Sequence, residues 1–263
     1  MSAVPRCLAP LLLAACASAP SAGDLAPRHA FGGELRIPIA TLREDLLVPQ
    51  AHTGSGLGLA LRYAGAVGDG ALRLELGVGA RYLRAQHDAQ ALAFYHGLRA
   101  RYGVTLQSGA WALRLGPALG WETDVAYLET WDDGHAYWVT DRWLGVAGEA
   151  ATRLSRCWAL SLEVELALVA IQSRLPRTPT HQQDELDAFA FWFSAPQRDP
   201  RFTWIGETQR ARISAELWRS DSKTAVLAGW GLGADVRLVH ASWPASLVIL
   251  ELGLRFMTAW GFP

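Results

Sequence analysis

Asp132, Asp133 and His135 stand within four residues of one another, in Trp131-Asp132-Asp133-Gly134-His135. A carboxylate beside an imidazole is the pairing that can activate a water molecule as general base. His181 and Asp184, further along the chain, could join them if both stretches met over one surface. Solvated loop residues of the same types are common, so these five are catalytic candidates by residue type alone. Asp133-Gly134 suits the positive φ of a tight hairpin, which makes the first stretch a turn between two strands. No metal-ligand spacing is found. The Gly-x-Gly pairs alternate within extended segments, which is wrong for a phosphate-binding loop that opens a helix. No metal and no cofactor is expected.

A second, larger set of chemistry-bearing residues is periodic. In Leu72-Arg73-Leu74-Glu75-Leu76-Gly77-Val78-Gly79-Ala80-Arg81-Tyr82-Leu83, apolar side chains take alternate positions and Arg, Glu and Gly fill the gaps. Successive side chains of a strand point to opposite faces, so one face is oily and the other charged. The pattern recurs over 34–41, 56–65, 92–106, 110–122, 143–154, 158–170, 205–219, 224–239 and 246–262, giving ten strands with 72–83. Short turns at 67–70, 107–109, 155–156 and 220–223 alternate with mostly longer loops, the long ones being 43–55, 123–142 and 171–203. The last of these holds a cluster of Phe189, Phe191, Trp192 and Phe193, read as packing on the rim or as a contact surface.

The whole chain sets bounds on the reading. With a net charge of −1 there is no electrostatic reason to expect nucleic acid as a partner. Residues 1–22 read as an export signal, with Arg6 before the apolar core Leu8 to Ala15. Leu13-Ala14-Ala15-Cys16 is also similar to a lipobox, which would leave Cys16 lipidated; ordinary cleavage near Ser21 to Gly23 is the alternative. Of the three cysteines Cys7 is lost with the signal, so Cys157 has at most Cys16 to pair with and a disulfide framework is not supported. After the signal, no apolar run reaches the roughly 18 to 20 residues of a spanning helix.

Two folds satisfy ten alternating strands: a soluble barrel or sandwich with leucines inside, or a transmembrane barrel with leucines outside. Three features favour the second. The polar face carries many glycines, which suit a crowded lumen better than a solvated surface. The strands run to about a dozen residues, against roughly five or six in soluble sheets. Trp111 and Trp121 share one face ten residues apart. With strands tilted by about 40°, they lie roughly 25 Å apart along the axis, the height of a lipid-facing band between aromatic girdles. The expectation for 31–263 is therefore an all-β, ten-stranded, antiparallel, up-and-down transmembrane β-barrel. Its polar face would collect Arg36, Arg62, Arg73, Arg81, Arg99, Arg101, Arg114, Arg210, Arg212, Arg237 and Arg255 in the lumen. Fewer acids join them: Glu34, Glu75, Glu122, Glu149, Glu163, Glu165, Glu216, Asp235 and Glu251. Such charges either pair into a plug or line a narrow, mildly anion-preferring pore.

The chain closes on Leu254, Phe256, Trp260 and Phe262, which resembles the C-terminal assembly signal of bacterial outer-membrane β-barrels, with Thr258 interrupting the series and Pro263 displacing the last aromatic. That resemblance covers 31–263 and implies the outer membrane, contact with its lipid, and insertion by the barrel-assembly machinery. Omptin proteases resemble the chain in strand count, and also use aspartates and a histidine high on their loops, but their motifs are not matched. Lipid-modifying barrel enzymes use a serine and a histidine near the lipid face, where His96 falls, again without a matching serine motif. The reading is a non-enzymatic barrel with a structural or surface-contact role or narrow-pore activity; a loop-borne hydrolase is the alternative.

Overall fold

A computed structural model describes residues 29–44, 48–85, 90–108, 111–128, 136–155, 157–174, 200–207, 209–219, 229–240 and 245–260. Its strands are β1 (His29–Glu44), β2 (Val48–Val67), β3 (Gly70–Arg84), β4 (Gln90–Ser108), β5 (Trp111–Leu128), β6 (Ala136–Arg153), β7 (Trp158–Arg174), β8 (Arg201–Trp204), β9 (Gln209–Arg219), β10 (Gly229–His240) and β11 (Ala245–Trp260). Each pairs antiparallel with its neighbours, β1 pairs with β11, and the β6–β7 pairing completes the ring. β8 and β9 form one course of the wall. β7 pairs with β8 through Val169–Gln172 and with β9 through Trp158–Leu166, so the barrel has ten staves. The expected strand over 205–219 begins only at Gln209: a turn at 205–207, closed by the Glu207 amide donating to the Trp204 carbonyl at 2.8 Å, separates it from β8.

Following the pairing from Thr140 of β6 through Thr123, His96, Val78, Leu59, Leu35, Leu254, Leu232, Leu217 and Leu160 returns to β6 at Thr152. The ring closes with a stagger of twelve residues over ten strands, which sets a strand tilt of about 40°. A ring so closed leaves, among the described residues, an unpaired edge at β8, which pairs with β7 alone.

Three long loops need correction. The stretch 43–55 is mostly strand, because β1 runs to Glu44 and β2 begins at Val48. Likewise β5 extends to Leu128 and β6 begins at Ala136, so 123–142 is largely a continued hairpin. At 171–203, β7 reaches Arg174 and β8 supplies the far end. Ladder pairing continues past the apolar belt because water, like lipid, leaves a paired strand intact. At the opposite end, Gly68 with φ of 56° makes the two-residue turn between β2 and β3 that only a residue tolerant of positive φ forms without strain.

Alternation fixes the two faces. Leu57, Leu59, Leu61, Leu76, Leu115, Leu119, Leu144, Val164, Leu232 and Leu252 are outward and exposed, while Arg36, Arg81, Glu163, Asp235 and Arg255 are inward and buried. Several large inward side chains lie over a neighbouring stave that lacks a Cβ. Tyr95 lies over Gly58 and Gly79, so a Cβ at Gly79 would meet its ring and the Leu57 carbonyl. Gly79→Val is expected to cost about 1–3 kcal/mol through overpacking, read as a lower midpoint of denaturant-induced unfolding.

Candidate functional site

The lumen has three layers. Nearest the end that carries the 129–135 connection, Leu42, Leu83, Val139, Val239, Leu247 and Ile249 turn inward and pack together. At the end where His29 pairs with Trp260, Trp218 and Met257 close the lumen with Ala30, Ala64, Ala112 and Ala159. Between them lies the charge network. The apolar outer layer was not read from the sequence, although inward Leu42, Leu83, Val239 and Leu247 interrupt the polar phase of their strands.

Cross-strand pairing makes some of the ion pairs directly: Glu34 faces Arg255, Arg62 faces Glu75, Glu75 faces Arg99, and Arg114 faces Glu149. Elsewhere the register sets like charges side by side, as at Asp235 and Glu251, Glu122 and Asp141, and Arg73 and Arg101. Such neighbours repel, and partners arriving from other staves offset the repulsion. Arg210 bridges Glu122 and Asp141, the latter at 2.9 Å, with its guanidinium 5.6 Å from the Trp143 ring centre. Arg237 joins Glu122 at 2.9 Å to Glu251 at 3.2 Å. Arg101 reaches Glu163 and, at 2.9 Å, Glu165, while Arg73 holds Glu149.

Two groups form the hubs. Glu75 is shared by Arg36 at 2.7 Å, Arg62 at 2.9 Å, Arg99 at 3.4 Å and Arg212 at 3.6 Å. Arg255, fully buried, meets Glu216 at 2.5 Å, Asp235 at 2.6 Å and Glu34 at 2.7 Å. Glycine makes this possible: a Cβ on Gly233 would occupy the place of the Arg255 guanidinium, and one on Gly253 that of the Glu34 carboxylate.

All eleven lumen arginines expected from alternation face a carboxylate within ion-pair distance. The expected surplus of arginine is corrected. Asp124 pairs with Arg81 and Asp141 with Arg210, and both lie in the stretch read as a loop. With these two the paired acids also number eleven, so the basis for anion preference is gone. Voids along the network measure about 30 Å³ beside Glu75 and Arg212, 20 Å³ beside Arg73 and Glu149, and 10 Å³ beside Glu122 and Arg237. Each is the size of one water or two.

The five catalytic candidates, Asp132, Asp133, His135, His181 and Asp184, lie outside the described residues, as do Cys16 and the aromatic cluster of 189–193. Trp111 and Trp121 are outward and more than a third exposed. His96 is outward too, its ring edge-on to Trp121 at 5.9 Å. Trp158 and Trp230 stack edge-to-face at 5.8 Å near the end where Trp111 lies. Among the described residues, no group of three or more histidine, cysteine, aspartate and glutamate side chains is placed to hold a metal ion.

A closed barrel with a leucine-rich outer face, aromatic residues at both margins of that face and paired charges inside is an outer-membrane β-barrel. Within a bilayer, only a helix or a closed barrel satisfies every backbone hydrogen bond. The protein's geometry is that of a bacterial outer-membrane barrel, with both described ends at one end of the barrel and the β5–β6 connection at the other. No protein-family model matches the chain, and no curated protein matches it. Among solved structures, the chain is similar to the β domain of the Bordetella autotransporter BrkA, with 13% identity and a TM-score of 0.37 over 86% of this chain and 98% of that one. The translocator domain of the autotransporter NalP from Neisseria meningitidis matches with 10% identity and a TM-score of 0.40, over 92% and 90%. Neisserial surface protein A matches with 11% identity and a TM-score of 0.35, over 86% and 97%.

Proposed function

We propose that this outer-membrane barrel is a closed, non-conducting and non-enzymatic scaffold that holds its outside connections in fixed positions for contact at the cell surface. The observation that carries this reading is the lumen network: eleven arginines and eleven carboxylates, bonded across the bore between two apolar layers, with the voids described along it only water-sized. Ions pass through a charged ring only where water fills the lumen. A plug of paired charges ties staves together that share no ladder, as Arg62 of β2 does with Glu216 of β9 at 2.9 Å. Assembly through the C-terminal strand by the barrel-assembly machinery belongs to the same reading.

Conductance of the purified, folded protein in planar bilayers tests it. The wild type is expected to stay at the lipid baseline. Arg99→Ala combined with Arg101→Ala, checked for folding by its heat-dependent gel migration, is expected to pass a small cation-preferring current. Those substitutions open space and leave Glu75, Glu122, Glu163 and Glu165 short of partners. Stable conductance steps from the wild type would replace the scaffold reading with a pore.

A further inference from the structure

Arg142 is a cation on the wrong face. It is exposed and outward, one pair along the strand from the inward Asp141. A row of cross-strand neighbours runs through it: Leu98, Trp121, Arg142, Ile171 and Phe202, on five successive staves. The row beneath, Leu119, Leu144 and Val169, is apolar. Above it Thr123, Thr140 and Ser173 are polar, with the two threonine hydroxyls 3.0 Å apart. Arg142 therefore sits where the apolar belt gives way to polar side chains, level with the outer aromatic margin marked by Trp121. Its guanidinium lies 5.8 Å from the Trp121 ring centre. Among the described residues no carboxylate forms an ion pair with it, whereas every lumen arginine of the network has one.

The same residues wall a concavity of about 470 Å³ on the outer surface, open to the side and apolar apart from Arg142. That is within the range of small-ligand sites, about 300–1,000 Å³. An apolar hollow with one unpaired cation at its upper lip is complementary to a lipid whose acyl chain runs down the wall and whose anionic head stops at the interface. The leaflet at this end of an outer-membrane barrel is built from phosphorylated glycolipid. A guanidinium binds phosphate through parallel N–H donors.

We propose that this concavity binds lipid A, the phosphorylated glycolipid of the outer leaflet, with a phosphate on Arg142 and an acyl chain against Leu119, Leu144, Val169 and Ile171. The site needs the barrel in its membrane but not the lumen plug, so this inference and the scaffold reading can fail separately.

The test is native mass spectrometry of the folded, detergent-solubilised full chain titrated with purified bis-phosphorylated lipid A. A one-to-one adduct is expected. Arg142→Gln should weaken it by about tenfold, the loss of one charge-assisted contact, and Arg142→Lys should lose less than Arg142→Gln, since lysine keeps the charge but not the parallel donors. Leu144→Asn, in the apolar wall, should also weaken it. Arg84→Gln is the control: Arg84 is likewise outward and stacked on an aromatic ring, Tyr82 at 5.1 Å, but lies away from the concavity. Heat-dependent gel migration confirms that each variant is folded. Equal binding of lipid A stripped of its phosphates would overturn the proposal. So would an equal loss in Arg84→Gln, or a phosphatidylglycerol adduct of the same strength and the same dependence on Arg142.

Discussion

Arg255→Met is expected to destabilise the folded barrel by about 3–5 kcal/mol, the cost of breaking a buried ion pair by removing one partner. Arg255 is fully buried and is the common partner of Glu34, Glu216 and Asp235. Methionine has similar length and leaves three carboxylates around an apolar side chain. All three keep other arginines, Glu34 through Arg36 at 2.7 Å, Asp235 through Arg212 at 2.8 Å and Glu216 through Arg62 at 2.9 Å, which limits the damage to the lower part of that range. Equilibrium unfolding by denaturant in lipid vesicles measures the difference. Arg142→Gln, on the exposed outer face, is the comparison and should lie within about 0.5 kcal/mol of the wild type. If the two variants unfold alike, the lumen is wet enough to solvate single charges and the plug contributes little.

Leu115→Arg, the second large effect, is expected to cost about 2–4 kcal/mol in a bilayer, as cationic substitutions do near the midplane of outer-membrane barrels. Leu115 is outward and 59% exposed, between Trp111 and Trp121 on the same strand face. On a face bathed in water, the same substitution would be close to neutral. Comparing its effect in vesicles with that of Arg114→Leu, one residue along and inward beside Glu149, separates the two faces. The first change places a charge in hydrocarbon, and the second strips a partner from a buried carboxylate. A neutral Leu115→Arg would mean that the leucine face does not meet lipid.

Period-two alternation made most of this architecture readable in advance. It assigns each strand an oily and a charged face, and lumen glycines such as Gly79, Gly233 and Gly253 mark where large side chains need space. The Trp111–Trp121 spacing supplies the height of the belt. Strand ends were less legible, because residues beyond the belt need no apolar alternation: Asp124 and Asp141 looked like loop residues, yet they belong to paired strands and balance the lumen charge. The break between β8 and β9 carries no comparable signal, since Phe202, Trp204 and Ile205 run apolar and exposed into it.

The sequence by itself determined which side chains face inward, because that depends only on the strand period. Which of them meet was decided by closure of the ring. A stagger of twelve residues brings Glu34 to Arg255, 221 positions away, and Glu122 to Arg237, 115 positions away. No local pattern encodes such distances, because they follow from the number of staves and their shear taken together. The concavity around Arg142 has the same origin: its walls come from five neighbouring staves that only the pairing register sets side by side.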